Sequence, residues 1–190
     1  AGWAAARLPW QAQGSRPAAA AVVAALGLTA FITWRASEAE YKIVHATRLA
    51  LSISASGNPN DSRLQPVKAE MLQLIREGIA INPHYRKITP MVADELARWG
   101  DWKNATWIWE SVLGSRPNVV AILANVARGH SSLGDGPRAM AYLERAKEIQ
   151  PRAPAVRSLE VILLARGGQT DRALELGRAA IRDRVHDYDM

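Results

Sequence analysis

Residue types that could carry chemistry are thinly scattered through this 190-residue chain. Four histidines, His45, His84, His130 and His186, stand far apart, and no HxxxH or HExxH pair sets two imidazoles on one helix face. Each reads as an ordinary surface or half-buried residue. Asp183, Asp187 and Asp189 gather near the C-terminus without the spacing of a carboxylate dyad. Gly134-Asp135-Gly136 and Gly167-Gly168 read as turns between helices, not as a phosphate cradle. The chain has no cysteine, which excludes disulfides and thiolate metal sites. The expectation is therefore no catalytic residue, no metal site and no cofactor in these residues.

The densest aromatic stretch, GDWKNATWIWESVLGSRPN at residues 100–118, sets three tryptophans in eight positions. It belongs to a repeat. Gly100, Gly134 and Gly168 lie 34 residues apart, as do Ala105, Ala139 and Ala173, and likewise Pro83, Pro117 and Pro151. Three columns sharing one period of this length point to paired-helix repeats. Gly provides the left-handed conformation that ends a first helix, Ala lets two helices approach closely, and Pro stops the second helix. Between these marks the apolar spacing is helical: Val119, Ile122, Leu123 and Val126, then Met140, Leu143, Ala146 and Ile149. Thr89-Pro90 reads as an N-cap with Pro at the first helical position. Trp102 and Trp109 fall on inward positions and are expected in the core, whereas Trp99 and Trp107 fit that pattern less well and are expected nearer the surface.

The columns resemble the tetratricopeptide repeat (TPR). Gly100, Trp102, Ala105, Val112 and Pro117 match its first copy here, and Gly134, Gly136, Ala139, Ala146 and Pro151 its second. A third copy offers Gly168, Thr170, Ala173 and Ala180; it lacks the aromatic, and Met190 arrives before its second helix could close. The resemblance implies a concave groove, lined by the first helix of each pair, that receives a peptide or partner helix. Counted from repeat starts at Arg86, Val120 and Pro154, the groove positions include Asp94, Arg98, Arg128 and Arg166. Arg donates two parallel hydrogen bonds to a carboxylate or phosphate. The implied ligand is then an acidic segment of a partner or acceptor protein, or an anionic glycolipid head group. A solvated face in a chain rich in Arg is the other reading of the same residues.

Composition agrees with helices throughout. The chain is 48% hydrophobic, Ala, Leu, Arg and Glu dominate, and alternating β-branched runs are absent. A net charge of +6 and a pI near 10.1 raise the question of nucleic acid. No basic run interleaved with aromatics and no known nucleic-acid motif supports it, so no nucleic-acid partner is expected. Residues 18–34, AAAAVVAALGLTAFITW, run without a charge, with Arg7 and Arg16 before them and Trp10 and Trp34 at interfacial positions. This reads as a membrane-spanning helix at the short end of the usual length, N-terminus in the cytoplasm and repeats outside. A cleaved signal peptide shares the pattern, but Phe31-Ile32-Thr33-Trp34 is bulky where a cleavage site needs small residues. A buried Ala-rich helix of a soluble protein is the third reading.

Residues 35–54 continue as a helix with an apolar stripe of Ile43, Ala46, Ala50 and Ile53, and SASGNPND at 54–61 breaks it with turn residues. A further helix is expected from about Asp61 to Ile81. The expected fold is thus all-α, a transmembrane helix followed by a TPR-like α-solenoid of antiparallel helix pairs. Its parts are a membrane-flanking segment 1–17, the span 18–34, an exit helix and degenerate first hairpin 35–83, and repeats at about 86–119, 120–153 and 154–190. The chain starts at Ala1 rather than Met and ends inside an unfinished repeat, where a solenoid normally closes with a polar capping helix, so both ends read as cuts through a longer protein.

Two longer stretches, ATWIWESVLGSRPNVVAILANVARG and APAVRSLEVILLARGGQ, together with a membrane helix and a charged exit helix, resemble the C-terminal end of the bacterial O-antigen ligase and polymerase superfamily, in its pilin-glycosylating oligosaccharyltransferase branch. The similarity covers most of residues 18–190. It implies an inner-membrane protein of a Gram-negative bacterium whose full-length form moves undecaprenyl-pyrophosphate-linked glycans on the periplasmic face. The family's catalytic Arg and His residues lie in its multi-span part, so none is carried over. What the resemblance implies for these residues is a non-catalytic periplasmic module; a stand-alone membrane-anchored TPR adaptor for envelope assembly is the competing reading.

Overall fold

The computed structural model describes residues 15–83 and 88–183, and among these every regular element is helical. The helices are α1 (Ser15–Ala55), α2 (Gln65–Ile81), α3 (Thr89–Arg98), α4 (Trp102–Ser115), α5 (Val120–Ser132), α6 (Gly136–Ile149), α7 (Pro154–Arg166) and α8 (Thr170–Arg182), with a 3₁₀ turn at Ser62–Leu64 before α2. Arg7, Trp10, His84, Arg86, His186, Asp187 and Asp189 lie outside the described residues.

α1 runs for 41 residues and has two halves of opposite character. Its first half is long and apolar enough to cross a membrane, and none of it is buried against the rest of the protein. Val23, Leu26 and Phe31 stand exposed there. The Thr29 and Thr33 hydroxyls donate to the carbonyls of Ala25 and Thr29, each at 2.8 Å, so both hydroxyls of this stretch are satisfied within the helix itself. In the second half Ile43, Ala46, Ala50 and Ile53 form the expected stripe, each at most 1% exposed. α2 folds back along it. Lys42 Nζ lies 2.6 Å from Glu77, and a Cβ added to Gly78 would come within 2.8 Å of Ile43 Cγ1.

α3 packs on α1 as well, through a buried polar network. The Ser54 hydroxyl donates to Glu95 Oε2 at 2.5 Å and accepts the Trp99 indole N–H at 2.9 Å. Trp99 is only 8% exposed, with Lys68 over its ring at 5.1 Å. The expectation of a surface position for Trp99 fails because its burial comes from α1 and α2, outside its own repeat. Trp102 in turn is half-buried at the rim of the core, while Trp109 is fully buried and Trp107 is 38% exposed.

Three further hairpins follow, α3/α4, α5/α6 and α7/α8, and their turns are closely alike. Gly100, Gly134 and Gly168 have φ of 85°, 82° and 77°, the left-handed region in which a side chain is strained. The N–H after each glycine, in Asp101, Asp135 and Gln169, bonds the carbonyl of Leu96, His130 and Leu164 at 2.9 Å. Asp101 and Asp135 then cap the next helix, their side chains accepting the N–H of Asn104 and Arg138. At the opposite ends Asn82, Arg116 and Gln150 have φ of −140°, −136° and −144°, because the following proline excludes the helical conformation. Ala105, Ala139, Ala146 and Ala180 are fully buried and Ala173 is 5% exposed, so the small-residue columns are helix contacts.

Three details of side-chain placement differ from expectation. The cap of α3 is Ile88, with no side-chain cap bond, and Thr89 is already helical, since Pro90 fits anywhere in a first turn that needs no N–H. Met140 and Ile149 are each 38% exposed. On α6 the inward face is centred on Ala139, Leu143 and Ala146, and Met140 and Ile149 sit on its two flanks. His130, expected to be half-buried at most, is 5% exposed.

Replacing Trp109 with Ala should lower stability by about 3 kcal/mol or more, as large core truncations do, whereas Trp107→Ala should cost about 1 kcal/mol or less. Urea unfolding of the full chain in mild detergent measures both, and equal losses would contradict the assigned inward face. A second contact is tighter. A Cβ at Gly129 would lie 2.1 Å from Thr106 Oγ1 and 3.1 Å from its Cβ. Gly129→Ala should therefore cost about 1–3 kcal/mol through overpacking, and Thr106→Ala in the same chain should recover part of the loss.

Candidate functional site

The first helices of the three hairpins together shape an open groove of about 270 Å³. Asp94 enters from α3, Asn125 and Arg128 from α5, and Ser158 from α7, over an apolar floor that includes Leu159 and Ile162. The polar residues are placed by helical spacing alone: Asn125 and Arg128 are one turn apart on one face, and the Arg128 guanidinium donates to Asn125 Oδ1 at 2.9 Å. Asp94 is half-buried and accepts the Trp109 indole N–H at 3.2 Å. Burial pushes its carboxyl above the usual aspartate value, and the Trp109 N–H and the charges of Arg128 and Arg98 partly offset this. Ser158 is 4% exposed, its hydroxyl donating to the Pro154 carbonyl at 3.1 Å.

Of the four groove residues expected from sequence, the structure brings Asp94 and Arg128 into this one groove. Arg98 stands at the end of α3, where it pairs with the buried Glu95 at 2.8 Å and its side chain is 69% exposed. Arg166 lies in the last turn of α7 and donates to Ser131 Oγ at 2.8 Å. Neither lines the groove. Asn125 and Ser158 do, and sequence reasoning passed over both. The signal for Asn125 was its position three residues before Arg128 on the same helix.

A second polar cluster lies between α4, α5 and α6. His130 Nε2–H donates to Glu110 Oε1 at 2.9 Å, and the Tyr142 hydroxyl donates to the same oxygen at 3.2 Å. The His130 and Tyr142 rings stack with centroids 5.6 Å apart, and His130 Nδ1 is 3.8 Å from Asp135 Oδ2. Burial, followed by the Glu110 charge, raises the Tyr142 hydroxyl above its ordinary value. The cluster does not line the groove, and it joins three helices in the way a structural lock does. Asp183 pairs with Arg157 at 2.9 Å, tying the end of α8 to α7. Among the described residues no group of three or more His, Asp or Glu could hold a metal ion.

No known family profile and no curated protein matches this chain.

The Asp94 carboxyl gives a pH test. Its folded-state value is raised, so the native state favours the protonated acid. That contribution is present below the ordinary aspartate value and is lost as pH rises through the raised one. Asp94→Asn keeps an acceptor for Trp109. It should therefore be more stable than the wild-type chain at neutral pH and show no such gain in acid. Urea unfolding at the two pH values reads this directly, and a less stable Asn variant at neutral pH would mean that Arg128 and Arg98 outweigh burial.

Proposed function

We propose that the chain is a membrane-anchored, non-catalytic docking module. The first half of α1 is the anchor, and the TPR-like hairpins present the Asp94–Asn125–Arg128 groove to an extended or helical segment of a partner protein. The observation that carries this reading is the groove itself, with polar side chains from successive first helices facing one open channel over an apolar floor. Such a surface suits a polypeptide, whose backbone and side chains alternate polar and apolar demands. Arg128 and Asn125 supply donors for a carboxylate or a backbone carbonyl, and Asp94 supplies an acceptor for an N–H. The shared turn dihedrals and buried alanine columns support a TPR-like solenoid.

The resemblance of ATWIWESVLGSRPNVVAILANVARG and APAVRSLEVILLARGGQ to the O-antigen ligase and polymerase superfamily supports a finer reading. In it the module is the periplasmic end of an inner-membrane glycan transferase and docks the acceptor protein, or the anionic head group of a glycolipid. Arg7 and Arg16 ahead of the apolar run support the cytoplasmic N-terminus.

The test is an array of acidic and neutral peptides probed with the full chain in lipid nanodiscs. Acidic peptides should bind, the binding should weaken as salt screens the charges, and Arg128→Gln should lose it while Arg166→Gln keeps it. Equal binding by both variants would remove the groove from the proposal.

A further inference from the structure

The packing of α1 on α2 and α3, with α4 bordering a shared cavity, sets the height of the module above any bilayer that α1 enters. The apolar run ends at Trp34. Ala39, five residues on, lies about 7 Å further along the helix. A Cβ on Gly78 would meet the Ala39 carbonyl at 3.3 Å, so the end of α2 reaches this level while travelling back toward Trp34. Ile43, Asn82, Thr89, Ser111 and Val112 border one small cavity, which brings the start of α3 and the last turn of α4 to the same height. Arg116 follows Val112 by four residues, about one helical turn nearer the end of the apolar run. The interfacial layer of a bilayer extends roughly 5–7 Å beyond its hydrocarbon, within reach of an arginine side chain at that position.

The other connections on this edge follow from the hairpin topology. α6 and α8 run the same way as α4. Tyr142 meets Glu110, and Arg157 at the start of α7 meets Asp183 just past α8. The loops after α4, α6 and α8 therefore share one edge, and that edge has a distinctive composition. Arg116, Arg152 and Arg182 are exposed on it, and so, in the adjoining helix turns, are Met91 at 40% and Ile149 at 38%. Among the described residues of these loops and turns the acids are Glu148 and Asp183, and Asp183 pairs with Arg157 at 2.9 Å, while Glu38 of α1, at the same end, pairs with Arg35 at 3.0 Å and Lys42 at 3.8 Å. Exposed apolar side chains set between arginines are the combination that an anionic lipid surface accepts, the former entering the interface and the latter meeting phosphates.

We propose that this edge, through Arg116, Arg152 and Arg182 with Met91 and Ile149, rests on the anionic phospholipid head groups of the membrane that α1 crosses. The inference rests on the reading of α1 as the anchor. Contact along the edge holds the module upright on its tether and keeps the groove at a fixed height, open to the side.

The absence of native cysteine makes the test direct. The full chain is reconstituted into phosphatidylcholine vesicles with or without phosphatidylglycerol, carrying one fluorophore at Leu26→Cys, Asn118→Cys or Leu133→Cys. Asn118 follows Arg116 on the proposed edge, and Leu133 lies at the opposite end of the hairpins. A head-group nitroxide lipid should quench the label at 118 and spare the label at 133. Quenching at 118 should weaken without phosphatidylglycerol, in high salt, and in the triple variant Arg116→Gln, Arg152→Gln, Arg182→Gln, because the packed unit is then free to tilt in the bilayer. Acyl-chain bromines should quench the label at 26 throughout. Quenching at 118 that persists in the triple variant, or that never exceeds the level at 133, overturns the edge contact while leaving the anchor in place. A label at 26 that acyl-chain bromines fail to quench overturns the anchor, and the edge contact with it.

Discussion

From Leu28 to Ala55, α1 contains neither glycine nor proline, so one unbroken ladder of backbone hydrogen bonds links its exposed apolar half to its buried half. Everything else in the fold is registered on that buried half. α2 can lie against it because Gly78 has no side chain where Ile43 approaches. α3 is locked to its end by Ser54, Glu95 and Trp99, whose polar atoms satisfy one another at the edge of the core. The long first helix and the hairpin it forms with α2 are thereby one packed unit, and the later hairpins inherit their heading from it.

Repetition then does what a single hairpin could not. The left-handed glycines and the aspartate caps give successive turns nearly the same shape, and the residues before the prolines adopt nearly the same extended angles at the other end. Identical joints bring the first helices side by side, so Asp94, Asn125, Arg128 and Ser158 converge although they come from three hairpins. They also level the opposite loops into one edge. A groove on one face and an edge beneath it are two consequences of the same joint geometry.

Within the groove, Asp94 is held at a cost to the fold. A carboxylate whose acidity is lowered by burial is an unfavourable choice for packing alone, and an amide would satisfy the Trp109 indole equally well. Its place beside Arg128 gives the groove an acceptor next to a donor, the pattern a peptide backbone presents in reverse. The His130–Glu110–Tyr142 cluster makes the contrast clear: it is polar around a buried His130, but its partners close on each other rather than on a groove.

Much of this was legible in the chain itself. The period of 34, the turn glycines, the stop prolines and the small alanine columns are local rules about which residues can adopt which backbone angles or fit between two helices, and local rules survive folding. The stripe of Ile43, Ala46, Ala50 and Ile53 was readable for the same reason. What depended on distant contacts was not. Trp99 is buried by α1 and α2, with Ser54 of α1 45 residues away in sequence, and no periodicity within its own helix records that. Arg98 and Arg166 occupy groove positions by counting, yet Glu95 and Ser131 hold them aside, because a long side chain follows its nearest partner and not its index in a repeat. Sequence determined the joints and the faces of the helices; tertiary structure decided which charges meet, since that depends on the distances between helices that only packing sets.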